Sequence, residues 1–163
     1  MQRDLYICYA KVAKVYLARK DYEACLKQLD LALNVVKIAY EQQPESLQAI
    51  KDHNSVLLRI ADAHFEAGDA ASAVKECESV ILIHEAIPEA NRQDATLRRR
   101  LANTYIMLGR ALFADNQRAK ALQSLQHARE LTQSMIDEGV RVEQMRLDLA
   151  EIDTFISSMD EKD

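Results

Sequence analysis

The sequence predicts an all-α protein, and two properties of its composition together with an internal repeat carry that prediction. Only three Gly and two Pro occur in 163 residues, so the chain has few places to turn. The dominant residues are Leu, Ala, Glu, Gln, Lys and Arg, which favour helices, and β-branched runs are short. With 48% hydrophobic residues, the chain is long enough to bury one core, so we expect a single domain over 1–163.

An internal repeat of 48 residues runs through most of the chain. One shift places YLARKDYEACLKQL (16–29) over HFEAGDAASAVKEC (64–77), and a second shift reaches LFADNQRAKALQSL (112–125). Residues of matching character fall in register in five columns: Val12, Ile60 and Leu108; Ala13, Ala61 and Gly109; Cys25, Ala73 and Ala121; Leu29, Cys77 and Leu125; Ala32, Val80 and Ala128. Small residues recur where helices must approach closely, so each copy is predicted to be a packed helical hairpin.

Each hairpin is predicted to turn at a short break in the helical pattern. Gly68 can adopt the left-handed conformation that closes a helix, and Asp69 can cap the amide groups that open the next one. Asp21 occupies the column of Asp69, and Asn116 occupies the column of Gly68. These breaks are therefore interpreted as corners and not as catalytic or ligand-binding loops.

The ends of the hairpins are marked by Pro44, Pro88 and Gly139. The predicted helices lie near 4–19, 22–42, 46–67, 70–86, 90–114, 117–137 and 141–159. They form three repeats, at about 5–44, 46–88 and 90–138. The seventh helix breaks the 48-residue period, and its single apolar stripe indicates a capping helix that covers the last repeat.

The three copies carry a motif that is known from one family of helical repeats. They contain Tyr9-x2-Val12-Ala13-x2-Tyr16 with Cys25-x3-Leu29, Leu57-x2-Ile60-Ala61-x2-His64 with Ala73-x3-Cys77, and Tyr105-x2-Leu108-Gly109-x2-Leu112 with Ala121-x3-Leu125. The pattern resembles the tetratricopeptide repeat signature W-x2-L-G-x2-Y followed by A-x3-F. The resemblance implies an α-α superhelix of three hairpins, in a long-period variant whose helices are extended by roughly two turns each. Such long-period arrays are similar to segments attached to bacterial signalling proteins such as Ser/Thr kinases.

The resemblance also implies a partner-binding groove lined by the first helix of each repeat. The matching positions are Ile7, Lys14, Leu17, Ser55, Leu58, Asp62, Phe65, Asn103, Ile106, Arg110 and Phe113. Lys14, Asp62 and Arg110 share a column and alternate in sign. They are interpreted either as a charge ladder between repeats or as charges that a ligand uses.

Motifs for chemistry are missing from the sequence. It contains no Gly-rich phosphate loop, no His-Glu-x-x-His and no Gly-x-Ser-x-Gly, so we expect no enzyme activity, no cofactor and no metal site. Cys8, Cys25 and Cys77 make an odd count without a Cys-x-x-Cys pair and are interpreted as reduced packing residues. His64 is interpreted as a packed repeat residue because it shares a column with Tyr16 and Leu112.

The charge and the apolar runs limit the class of partner and the location. A net charge of -5 argues against general nucleic-acid binding, and no stretch approaches the roughly 20 apolar residues of a membrane helix. The N-terminal residues do not resemble a signal peptide, so a cytoplasmic protein is expected. The run Arg98-Arg99-Arg100 fans through about 200° of a helix and is interpreted mainly as serving solubility and pairing with acidic neighbours. A site for an acidic or phosphorylated partner remains the alternative, with nucleic acid third.

Taken together, the residues favour a protein-protein interaction scaffold or adaptor that binds a peptide or helix in this groove. Two other functions stay open. One is a homo-oligomerisation element, in which the groove or the seventh helix pairs with another copy. The other is a regulatory sensor domain of a larger signalling protein.

Overall fold

Seven long helices and one helical turn make up the computed structural model, which describes residues 2–160 and contains no strand there. In chain order they are α1 Gln2–Ala18, α2 Tyr22–Gln42, α3 Leu47–Glu66, α4 Ala70–Ala86, α5 Glu89–Arg92, α6 Ala95–Ala114, α7 Arg118–Asp137 and α8 Val142–Asp160. The predicted all-α class is confirmed.

Neighbouring helices pack consecutively, as in a helical-repeat superhelix. Three hairpins form from α1 with α2, α3 with α4, and α6 with α7. The second helix of each hairpin packs on the first helix of the next unit: α2 on α3, α4 on α6 and α7 on α8. The first helices α3 and α6 also contact each other, which leaves one face of the array lined by first helices.

The three corners repeat at the predicted spacing. A residue with positive φ closes the first helix of each hairpin: Lys20 at 59°, Gly68 at 83° and Asn116 at 59°, each 48 residues from the next. In all three, the following amide N–H donates to a carbonyl five residues back: Asp21 to Tyr16, Asp69 to His64 and Gln117 to Leu112. Asp21 and Asp69 then cap the next helix through their side chains, whereas Gln117 makes no such bond.

The predicted helix at 90–114 was wrong in one respect, because the chain breaks it at Gln93 and Asp94. A side-chain oxygen of Asp94 accepts hydrogen bonds from the amides of Thr96 and Leu97, both at 3.0 Å, and so begins α6 afresh. The preceding residues form only the single turn of α5, which follows Pro88. The break places α6 at an offset of 48 from α3, with 47 and 95 as first residues and 66 and 114 as last residues.

The columns of matching residues form the core. Every member of the five columns is buried except Val12, which is 42% exposed on α1. At Gly109 a Cβ would lie 2.7 Å from Leu125 Cγ and 3.2 Å from the Ala121 carbonyl oxygen. The α6–α7 pair therefore approaches too closely for a side chain at this position, which is the packing that the small residues predicted.

The expectation that the seventh predicted helix, α8, breaks the period was wrong. The buried residues Met145, Ile152 and Met159 stand 48 positions after Leu97, Thr104 and Ala111, which are also buried. Because α8 uses the same columns as α6, it packs on α7 as a fourth first helix. A further shift by 48 along the sequence would have revealed it.

Candidate partner-binding groove

The predicted groove residues lie on the first helices α1, α3 and α6, and none of them is fully buried. Lys14 and Asn103 are exposed, and the other nine are half-buried. The structure gathers a part of this set into two clefts between neighbouring first helices. The predicted residues that line neither of these two clefts are Ile7, Ser55, Leu58, Phe65, Asn103 and Phe113. Asn103 lines another cleft of about 150 Å³ between α6 and α8, and Ile7 packs against the core of the first hairpin.

The smaller cleft lies between α1 and α3 and has a volume of about 130 Å³. Its floor is made of buried core residues such as Cys25 and Leu29. Lys14, Leu17 and Asp62 line it, as the resemblance implied, together with Arg59. Two cationic side chains and one carboxylate thus surround an apolar floor, so this cleft is suited to a short side chain with a polar end.

The middle of the groove is held by a contact between α3 and α6. The Arg110 guanidinium lies over the Phe65 ring, 5.0 Å from its centroid. Among residues 2–160, no ion pair joins Asp62 to Lys14 or to Arg110, so the charge ladder between repeats does not form by direct pairing. Burial, assisted by nearby Glu66, raises the pKa of Asp62 despite the opposing charges of Arg110 and Arg59.

The larger cleft lies between α6 and α8 and has a volume of about 590 Å³. Ile106 and Arg110 of the predicted set line one side. The α8 side contributes Ala150, Glu151, Ile152, Thr154, Phe155 and Ser158. Phe113 meets Phe155 edge to face, with ring centroids 5.9 Å apart, and so fixes α8 against α6.

The α8 residues of this cleft were missed by the sequence prediction. Glu151, Thr154 and Ser158 stand 48 positions after Asn103, Ile106 and Arg110, so the groove columns continue into α8. The 48-residue offset would have identified these positions, but the change from Ile and Arg to Thr and Ser makes the match hard to recognise from residue type.

A third cleft, of about 340 Å³, opens where α1, α2 and α3 meet. Its polar centre is Asp52, which accepts hydrogen bonds from Tyr6 Oη at 2.6 Å, Gln48 Nε2 at 2.8 Å and Arg3 Nε at 3.0 Å. Burial and the bond to Asp52 raise the pKa of Tyr6. These groups satisfy one another, so the cluster ties α1 to α3 and offers little to a ligand.

No protein-family model matches the chain, and a search of curated proteins finds no match. Membership of the tetratricopeptide repeat family therefore stays a prediction that rests on the residue pattern.

The interpretation that the three consecutive arginines pair with acidic neighbours is confirmed for Arg98 and Arg99. Arg98 binds both carboxylate oxygens of Glu138 and donates to Ser134 Oγ at 2.9 Å. Arg99 Nε lies 3.4 Å from Asp148 Oδ2, and Arg100 donates to the Lys51 carbonyl. The three side chains thus point from α6 towards three different helices, α7, α8 and α3. They do not converge on a common anion site.

Other candidate chemistry is sparse. His64 is half-buried with its Nδ1 3.4 Å from Asp69 Oδ2, at the corner of the second hairpin. Among the described residues, no three His, Cys, Asp or Glu side chains gather where they could share a metal ion. None of the described helices combines the length and the apolar character that crossing a membrane requires.

Proposed function

We propose that this chain is a protein-interaction module of the tetratricopeptide repeat type, which binds a helix or an extended peptide of a partner protein. The groove is lined by α1, α3, α6 and α8. The α6–α8 cleft carries the proposal, because at about 590 Å³ it is large enough for an apolar anchor side chain of a peptide. The function requires binding and no catalysis.

The chemistry of this cleft suits an apolar anchor with polar neighbours. Ile106 and Phe155 supply apolar and aromatic surface, which usually contributes most of the affinity of an interface. Arg110 and Glu151 line the same cleft, and neither forms an ion pair with another described residue. They can therefore orient a peptide by donating to its carbonyls and accepting from its amides.

The experiment first selects peptides that bind the wild-type chain from a random displayed library. Affinity is then measured by fluorescence anisotropy for the wild-type chain and for Ile106→Glu, whose charge would lie in the cleft. We expect binding to weaken about tenfold or more, because the anchor would meet a desolvated charge. Leu147→Glu is the matched control, since Leu147 is 66% exposed on α8 outside the cleft.

Two results would contradict the proposal. One is equal affinity of the selected peptides for Ile106→Glu and wild type. The other is a selection that enriches no peptide. Circular dichroism of each variant has to show unchanged helicity, so that a lost affinity reports on the cleft and not on the fold.

A further inference from the structure

One face of α1 carries an uncovered apolar stripe, here called the α1 stripe. It consists of Leu5, Cys8, Val12 and Val15. Leu5 is 44% exposed, Val12 42% and Val15 50%, and Cys8 is exposed too. Their spacing of three, four and three residues places them on one straight seam along the helix, as at the a and d positions of a coiled coil.

The same face is covered on every other first helix. The equivalents of Cys8, Val12 and Val15 on α3 are Val56, Ile60 and Ala63, and on α6 they are Thr104, Leu108 and Ala111. All six are buried, as are Ile152 and Met159 on α8, where the Val12 equivalent Ile156 is half-buried. The cover in each case is the second helix of the preceding hairpin. Within residues 2–160, α1 has no such helix on this face, so the α1 stripe is half of a repeated interface.

The second helices that pack on this face inside the array show what kind of helix it accepts. Leu26 and Leu33 of α2 pack into the cluster that contains Val56 and Ile60 of α3. Val74 and Ile81 of α4 pack into the cluster that contains Leu108 of α6. In both α2 and α4, two large aliphatic residues stand seven positions apart, which is two helical turns on one side.

Charge selects among helices of this kind. Five basic residues and one acidic residue lie in residues 2–20, which gives +4 in a chain of net charge -5. Lys11 flanks the α1 stripe and Arg19 follows it along the seam, and neither forms an ion pair with a described residue. A second α1 would bring like charges together, whereas a helix with acidic flanks would be attracted.

The size of the α1 stripe also fits one helix. Three half-exposed aliphatic side chains and a cysteine offer far less apolar surface than the roughly 800 Å² per partner of a stable interface between whole subunits. A single amphipathic helix is what covers the equivalent face inside the array.

We propose that the α1 stripe docks one amphipathic helix of a separate partner protein. That helix has large aliphatic residues seven positions apart and acidic residues beside them. It covers α1 as α2 covers α3, and this site is independent of the groove on the other side of the first helices. Helix α4 already has this chemistry, because Glu78 and Glu85 follow Val74 and Ile81 by four residues each.

The probe is therefore a labelled peptide with the sequence of residues 70–86. It carries Cys77→Ser, and a side-chain staple replaces Lys75 and Ser79, on another side of the helix from Val74, to keep the peptide helical. We expect it to bind the full chain in fluorescence anisotropy. It should also slow the reaction of Cys8 with a thiol reagent, since Cys25 and Cys77 of the protein are buried.

Three variants of the full chain localise the binding. Val12→Glu should weaken it about tenfold or more, since a charge would be desolvated under the peptide. Lys11→Glu should weaken it too, through repulsion from the acidic flank. Leu82→Glu should leave it unchanged, because Leu82 is 65% exposed on α4, outside the α1 stripe.

Three results would overturn the proposal. The first is equal weakening by Val12→Glu and Leu82→Glu. The second is a peptide that is helical by circular dichroism yet neither binds nor protects Cys8. The third is a wild-type dimer in light scattering that Val12→Glu abolishes, because a second copy would then be the occupant of the α1 stripe.

Discussion

Helices α1 and α8 occupy equivalent positions in the repeat, but their outer faces carry different kinds of residue. At the N-terminal end, α1 exposes the apolar face that α3, α6 and α8 bury. At the C-terminal end, α8 carries polar residues where earlier first helices receive their own second helix. Asp153 stands in the column of Tyr9 and Tyr105, and it accepts a hydrogen bond from Arg129 Nε at 2.9 Å. Ser157, in the column of Gly109, is exposed.

The difference shows that residue type alone can decide whether the outer face of a stacked helix suits solvent or a further helix. A polar outer face lets a terminal helix meet solvent without a further partner. An apolar outer face of the same helix keeps the stacking surface available. In this chain α8 has the first kind of face and α1 the second, so we expect substitutions in one column to have different effects on stability in the two helices.

The largest expected effect compares Ile152→Ala with Cys8→Ala, two positions in one column. Ile152 is buried between α8 and α7, so its truncation should cost about 2–5 kcal/mol of unfolding free energy. Cys8 is exposed, so its truncation should stay within about 0.5 kcal/mol. Urea titration followed by circular dichroism measures both. Similar losses for the two variants would mean that α1 and α8 do not differ as described.

The second comparison uses the column of Gly109 and Ser157. Gly109→Ala gains roughly 0.5–1 kcal/mol of helix propensity, but its Cβ would meet Leu125 Cγ at 2.7 Å. Overpacking of about 1–3 kcal/mol should therefore leave a net loss near 1 kcal/mol. Ser157→Ala should be neutral or slightly stabilising, because among the described residues no helix follows α8 to pack on it as α7 packs on α6. In a Leu125→Ala background the loss from Gly109→Ala should shrink, and an undiminished loss would argue against the close contact.

A third comparison concerns His53, which replaces Leu5 and Leu101 in their column. His53 is buried and stacked on Tyr40 with ring centroids 4.8 Å apart, and its Nδ1 has no hydrogen-bond partner. Burial, helped by the charge of Lys37, lowers the pKa of His53 below its ordinary 6.5, although Glu41 opposes this. Between this lowered pKa and 6.5 the unfolded chain therefore binds a proton that the folded chain does not, so stability should decrease as the pH falls through that range.

His53→Leu should weaken this dependence and add about 1 kcal/mol by removing an unpaired buried nitrogen. The measurement is the melting temperature between pH 5 and pH 7.5. Burial lowers the pKa of His84 as well, so part of the acid sensitivity should persist until His84→Val is added. A pH dependence that neither substitution alters would contradict the assignment.

The smallest expected effect compares two corners. Lys20 holds a left-handed conformation at φ 59°, which Gly68 adopts at φ 83° without steric cost. Lys20→Gly should be stabilising by less than about 1 kcal/mol, because strain is relieved while the unfolded chain gains freedom. Gly68→Ala should be destabilising by about 1 kcal/mol, since no neighbouring atom lies within 4 Å and only backbone strain acts. Thermal unfolding of both variants is the measurement. A change in stability of the same sign for both variants would contradict the shared backbone geometry of the two corners.

Much of the fold could be predicted because the relevant signals are local. The corner at Gly68 and Asp69 needs only those two residues, and the core columns follow from helical spacing. The break at Asp94 was missed because the residues before it also favour helix, and its cap depends on a single side-chain oxygen. The groove residues Thr154 and Ser158 of α8 were missed because they differ in type from Ile106 and Arg110, which occupy the same columns on α6.

The sequence by itself determined an all-α chain of hairpins, the positions of their corners and the residues that can pack. The tertiary structure alone decided which of those residues are covered. Val12 and Ile60 occupy one column and are both aliphatic, yet Val12 is exposed and Ile60 is buried. Helix formation and capping act over a few neighbouring residues, whereas burial of Ile60 requires α2 to fold back against α3.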